Sequence, residues 1–244
     1  VIIFILGWFV ALYLRLYFNC SIRRVSVLYF WHAFFSIIYT LFILKFGGDA
    51  YSYYLKAVAV QGDLYLGNSS IFGTGGVVNI SSFFVYIFSI PFVGMCLLFH
   101  IFGFIGLIAF DASLRDVVAY KSRNIRLLAT LIIFLPSVSF WSAGLGKDAI
   151  SFMAVGLALW SSLNLNKRIF LMIGAILLML MVRPHMAGFM VMGLAASFTF
   201  QKYIPLMYRL FLGIFSLAAV AVLVPFALNY AGLGENVDAE QLGS

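Results

Sequence analysis

The sequence predicts an all-α, polytopic integral membrane protein with about eight transmembrane helices and a long outer loop carrying an interfacial helix. Three observations carry this prediction. Hydrophobic residues make up 64% of the chain and charged residues 9%, whereas soluble domains hold about 25% charged residues. Apolar runs recur from end to end, separated mostly by loops of a few residues, which is the pattern of a multi-span helical protein. Runs such as Leu127–Leu135 and Ile169–Val182 do not alternate apolar with polar, as strands of a membrane barrel would.

Taken in order, the spans fall near residues 1–18, 25–46, 92–112, 126–143, 149–165, 169–182, 186–200 and 207–230, within one transmembrane domain, 1–244. The apolar stretch Val77–Ile90 ends at Pro91 and is too short to cross alone. With the following span it makes either one kinked helix or an outer-leaflet segment entering a cavity. The loop 47–80 is rich in Gly, Ser, Asn and Tyr, and long loops in compact proteins are functional or disordered. Its first part, Asp49–Gln61, fits an amphipathic helix at the interface, with Tyr51, Tyr54, Leu55 and Val58 as its apolar stripe. Gly73-Thr74-Gly75-Gly76 reads as a flexible turn.

Charge counting orients these spans. One set of loops holds ten cations: Arg23, Arg24, Arg115, Lys121, Arg123, Arg126, Lys167, Arg168, Lys202 and Arg209. The opposite set holds four: Lys45, Lys56, Lys147 and Arg183. The positive-inside rule makes the first set cytoplasmic and the loop 47–80 extracytoplasmic. The segment 169–200 is the hardest to place, because its halves hold only 14 and 15 residues around Arg183-Pro184-His185. Fourteen residues reach about 21 Å, against a hydrocarbon thickness of about 30 Å. One kinked crossing would put Lys202 and Arg209 outside, so the charge rule favours a helical hairpin with its tip in a depression.

The net charge of +7 comes from cations scattered through loops, so membrane orientation accounts for it and no nucleic-acid partner is expected. Cys20 and Cys96 imply neither a disulfide nor a metal site. The chain begins at Val1 inside an apolar run, without Met or a basic n-region, and reads as a fragment without an arguable signal peptide.

Three polar clusters interrupt the apolar chain on the proposed outer side: Gly48–Tyr54, Gly146-Lys147-Asp148 and Arg183-Pro184-His185. Asp49 follows a span directly, which makes it either a functional acid or a helix N-cap. Tyr51, Tyr53 and Tyr54 stack on a sugar ring or form an interfacial belt. Asp148 caps the next helix on its bland reading. Lys147 fits that reading poorly, because a cation at a helix N-terminus opposes the dipole unless an anion binds there. Arg183 either compensates a helix C-terminus or grips a phosphate or carboxylate through its planar fork. His185 assists at the same anion, accepts a proton, or is structural. His32 and His100 sit mid-span as hydrogen-bonded core residues.

Gly146-Lys147 is not a phosphate-binding P-loop, since Trp141 and Asp148 stand where glycine and Ser/Thr belong. Trp-Ser-Ala-Gly around Ser142 lacks the Gly-x-Ser-Gly of intramembrane serine proteases, and no His-Glu-x-x-His zinc motif occurs. What remains is one acid, Asp49, with Asp148 in reserve, and cations on one face. That set suits holding a phosphate-linked substrate while a carboxylate deprotonates a hydroxyl nucleophile.

Gly48-Asp49-Ala50-Tyr51-Ser52-Tyr53-Tyr54 resembles the Asp-containing first outer loop of multi-span glycosyltransferases of the GT-C type. Leu135-Pro136-Ser137-Val138-Ser139-Phe140-Trp141-Ser142 running into Lys147-Asp148, then Val182-Arg183-Pro184-His185, resembles bacterial polysaccharide polymerases of the EpsG-like and O-antigen (Wzy-type) kinds. The resemblance implies a sugar or oligosaccharide on a polyprenyl (di)phosphate, taken at the extracytoplasmic face of the bacterial inner membrane. It makes Asp49 and His185 catalytic, and Lys147, Asp148, Arg183, Tyr53, Tyr54 and Trp141 substrate-binding. It implies no cofactor, and no metal is inferred, because one carboxylate is a poor divalent site. Membrane lipids and other envelope polysaccharide assembly proteins are the implied partners. Two other readings stand beside it: a transporter or flippase of a lipid-linked or anionic solute, and a structural subunit whose clusters are caps and anchors.

Overall fold

The computed structural model describes residues 1–60, 62–65 and 72–199, with isolated positions between 205 and 221. Every regular element among them is a helix: α1 (Ile2–Tyr17), α2 (Ile22–Phe46), α3 (Asp49–Val60), α4 (Thr74–Phe88), α5 (Phe92–Val117), α6 (Arg123–Ile133), α7 (Pro136–Ser142), α8 (Lys147–Ser162), α9 (Leu165–Val182) and α10 (Pro184–Thr199). Four stretches are long and apolar enough to cross a membrane: α2, α5, the α6–α7 run Arg123–Ser142, and α9. The spans expected near 1–18, 149–165 and 186–200 form helices of 16 residues each. Each reaches about 24 Å, less than a straight crossing requires. The expected span 207–230 and Lys202 fall mainly outside the described residues.

Helix α2 displays the pattern on which the bundle is built. Phe30, Phe34, Ile37, Leu41 and Leu44 run along one face and are all more than half exposed. His32, Ser36 and Thr40 lie on the other face and are buried. Apolar outside and polar inside inverts the order of a soluble helix and fits a lipid solvent. The buried hydroxyls of Thr40, Ser81, Ser113 and Ser161 each donate to the carbonyl four residues earlier, so they bring no unsatisfied group into the interior.

Helix α5 runs through the middle of the first unit, packed on α1, α2, α6, α7 and α8. It meets α8 through glycine: a Cβ on Gly106 would lie 2.6 Å from the Phe152 carbonyl oxygen, and one on Gly156 would strike the Gly106 backbone. Small residues let two backbones approach closely where apolar burial gives no drive for helices to associate in lipid. Against α2 the contact combines ring packing, such as Tyr29 on Phe104, with a polar pair. His32 Nδ1 lies 2.6 Å from His100 Nδ1, and His32 Nε2 lies 3.1 Å from Ser142 Oγ. Ser142 donates to the Val138 carbonyl at 2.5 Å, so His32 Nε2–H must be the donor to Ser142, and His100 Nδ1–H the donor to His32. The two mid-span histidines are thus core residues, as expected, and they bond each other.

The region expected as one long loop is mostly helix. A helix forms in the expected place as α3, and its packed face is Ala50, Tyr53 and Ala57. Of the expected stripe, Tyr51, Leu55 and Val58 are exposed and available to a membrane interface, while Tyr54 is half-buried. Gly73–Gly76 is not a flexible turn: Gly73 takes φ +66°, and Thr74–Gly76 form the first turn of α4. α4 ends at Ser89 in the left-handed region, so the stretch before Pro91 is a helix of its own and does not run on into α5.

Helix α9 bends at Arg168, whose guanidinium lies 3.7 Å over the Trp160 ring. Its straight apolar part therefore begins at Ile169, the expected boundary. The chain divides into two compact units, Val1–Arg183 and Pro184–Ser244.

Candidate functional site

Two of the three polar clusters, with Arg183 of the third, are assembled at one end of the first unit. Their positions follow from helix starts and stops. Gly47 (φ +77°) and Gly48 (φ +147°) end α2 and turn the chain, so that α3 begins on Asp49. Asp49 stands in the first helical turn, where its charge complements the dipole. Gly146 ends the link after α7, and Lys147 and Asp148 open α8. Arg183 follows the last residue of α9, with non-helical φ −145° and ψ 79°.

What fixes the end of α9 is α4. The Gly73 amide donates to the Met181 carbonyl at 2.9 Å, and a Cβ on Gly76 would lie 2.5 Å from that same carbonyl oxygen. The loop before α4 is pinned in turn by Asn79, which accepts from the Tyr65 amide at 2.7 Å and donates to its carbonyl at 3.1 Å. A segment that reads as flexible in sequence thus sets the position from which Arg183 extends.

Arg183 Nη2 donates to Asp148 Oδ1 at 2.5 Å, and both side chains remain partly exposed. Asp148 is spent on this pair, not on a cap, since α8 has no side-chain cap. Half-buried Lys147 lies within the fields of Arg183, Asp49 and Asp148. Burial lowers its pKa from the ordinary lysine value, Arg183 lowers it further, and the two carboxylates oppose the shift. Tyr53, one turn after Asp49, is buried, with the Thr74 side chain near its hydroxyl. Burial and then Asp49 push its phenol above the usual value, while Asp148 and Arg183 also reach it.

Asp49, Tyr53, Lys147, Asp148 and Arg183 are therefore brought together. Tyr54 and Trp141 are not. The Tyr54 hydroxyl donates to the Ile90 carbonyl at 3.4 Å, and its ring packs 5.6 Å from Phe92, so it anchors α3 to the start of α5. Trp141 is exposed, its ring edge-on to Phe140. His185 lies half-buried in the first turn of α10, in the second unit.

Two members were missing from the sequence reading. Tyr39, buried two turns before the end of α2, lies within the fields of Asp49, Asp148 and Tyr53 and packs on Gly144. Thr74 lies near the Tyr53 hydroxyl. In sequence Tyr39 looks like any other aromatic of an apolar span, and Thr74 like a loop residue. Ser142 does meet a histidine, but both are buried and the serine proton is directed to Val138. That geometry belongs to a packed core and not to a nucleophile with its base. Among the described residues, no group of three or more His, Cys, Asp or Glu side chains gathers in a way that would hold a metal.

Chemically, the cluster offers two carboxylates, one of them committed to an arginine, and two cations on the exposed end of a helical bundle. It can hold an anion between Lys147 and Arg183 and accept a proton at Asp49. No family model, curated protein or solved structure matches this chain.

Proposed function

We propose that the chain is a membrane glycosyltransferase of the polysaccharide-polymerase type, acting on polyprenyl-(di)phosphate-linked sugars. The observation that carries the reading is the convergence of Asp49, Lys147 and Arg183 from three separate parts of the sequence. Lys147 and Arg183 hold the phosphate of the donor. Asp49 takes the proton of an acceptor hydroxyl, whose oxygen bonds to the anomeric carbon as the bond from that carbon to the phosphate oxygen breaks. The electron pair leaves with the phosphate, where the two cations balance its charge.

In this reading the cluster faces the extracytoplasmic side of the bacterial inner membrane, and the chain crosses about eight times, as the charge bias favours. A groove of about 780 Å³ between α1, α4 and α5, lined by Leu6, Phe84, Phe88, Leu97 and Ile101, is almost wholly apolar. It suits the hydrocarbon tail of a lipid-linked substrate. The break between α4 and α5 at Ser89–Pro91 favours the second reading, a flippase or transporter, because interrupted helices recur in such proteins.

The test is chain extension in proteoliposomes loaded with a polyprenyl-diphosphate oligosaccharide. Asp49→Asn and Arg183→Ala should stop extension while both variants still insert. Undiminished glycan length in both variants would refute the enzyme reading, and substrate movement across the bilayer without any glycan product would favour the transporter.

A further inference from the structure

A second basic site lies apart from this cluster, in a pocket of about 210 Å³ between α2, α5 and α6. Its polar lining is Arg24, Arg115, Arg126, Asp111 and Thr130. Asp111 is buried, with its side chain 1% exposed, and accepts from Arg24 and Arg115. All three nitrogens of Arg115 are engaged: Nε donates to Asp111 Oδ2, Nη1 to the Asn19 carbonyl and Nη2 to the Phe18 carbonyl. Arg24, which lines the pocket, gives Nε and Nη2 to Asp111 and Thr130, and its Nη1 makes no hydrogen bond among the described residues. The Arg126 guanidinium forms no ion pair among the described residues. Three arginines against one carboxylate leave two uncompensated positive charges around one concavity. A buried acid that orders two arginines explains those two, and it leaves Arg126 and the spare edge of Arg24 without a role.

We propose that this pocket binds a phosphate monoester or diester, with Arg126 and Arg24 Nη1 as its donors. Basic pockets between membrane helices on the cytoplasmic side are where anionic headgroups are held. Leu127, Leu128 and Leu131, all more than half exposed beside Arg126 on α6, would lie along the acyl chains of such a lipid. The same donors would also take a soluble phosphate ester.

The test uses the whole chain in detergent micelles, with phosphatidylglycerol and glycerol 3-phosphate as separate probes. Bound lipid is counted by native mass spectrometry, and thermal unfolding is followed in parallel. Phosphatidylglycerol should bind more tightly than phosphatidylcholine. Arg126→Gln should weaken that binding about five-fold, and Arg126→Lys should restore most of it. Arg123→Gln, which removes the same charge outside the pocket, should leave binding unchanged. Glycerol 3-phosphate competing for the site would identify a soluble ester as the occupant, and its failure to compete would identify a lipid. Binding that is indifferent to Arg126→Gln, or weakened equally by Arg123→Gln, overturns the proposal. Unchanged helical content in each variant separates loss of binding from loss of fold.

Discussion

Arg183 and Asp148, 35 residues apart in sequence, meet with Nη2 2.5 Å from Oδ1. The pair joins the end of α9 to the start of α8 and places a guanidinium beside Lys147, which like-charge repulsion alone would disfavour. Asp148 offsets that repulsion, so the pair reads as the support of a site where two cations must stand together.

Exposed ion pairs contribute at most about 1 kcal/mol, and this one is partly exposed on both sides. Asp148→Asn and Arg183→Gln should each shift the unfolding midpoint by a few degrees at most and abolish extension. The charge-reversed double variant, Asp148→Arg with Arg183→Asp, should recover the midpoint but not the activity. Recovery of both would reduce the pair to a structural strut.

Lys147 gives a pH signature. Burial and Arg183 hold its folded pKa below the ordinary 10.5, with Asp49 and Asp148 opposing. The unfolded chain therefore binds more protons between the two values, and stability rises with pH across that window. Anion binding should run the other way and be lost as pH climbs through the lowered pKa. Lys147→Arg should keep binding past 10.5, and Asp49→Asn, which removes an opposing carboxylate, should move the loss to lower pH. Equilibrium titration with a short-chain polyprenyl phosphate reads all three.

Gly76 tests whether α4 positions Arg183. A methyl there meets the Met181 carbonyl oxygen at 2.5 Å, which is backbone and yields only if α9 shifts. Gly76→Ala should cost about 1–3 kcal/mol and slow extension. Gly174→Ala on the same α9 has open space around it and should be neutral or mildly stabilising, since Ala is the better helix former. Equal behaviour of the two in thermal unfolding and turnover would dismiss the clamp.

Asp111 anchors the opposite end of the unit. Asp111→Asn keeps the shape but removes the charge that orders Arg24 and Arg115. Hydrogen bonds to charged groups are worth about 1.5–3 kcal/mol, so a loss of that order in reversible unfolding is expected, with extension per folded molecule unchanged. A loss confined to turnover would mean that this end takes part in the reaction.

The helix beginning at Asp49, the break at Arg183-Pro184 and the all-helical class were legible because glycine, proline and apolar run length act locally. The packing of α3 was not. Its apolar stripe, read as the side turned to a membrane interface, is exposed at Tyr51, Leu55 and Val58 and half-buried at Tyr54, but the side that packs on the protein, Ala50, Tyr53 and Ala57, is not marked by apolarity. In a lipid solvent apolarity no longer marks the inside, and small residues that admit close approach do. Tyr54 and Trp141 looked equivalent to Tyr53 for the same reason: an aromatic ring in such a chain is at home against lipid, protein or a ligand, and its identity does not say which.

By itself, the sequence determined the helical class and the starts of α3, α5 and α8, though not the start of α4 or the break between α6 and α7, because capping, dihedral limits and hydropathy depend on near neighbours. It also singled out Asp49, Lys147 and Arg183, since charge is costly in so apolar a chain. Tertiary structure alone decided that these residues meet, that Asp148 serves Arg183, that Gly73–Gly76 clamps α9, and that Tyr39 and Thr74 belong with them. Those outcomes depend on which helix faces come into contact, and that is set by backbone approach at Gly76, Gly106 and Gly156 across segments far apart in the chain.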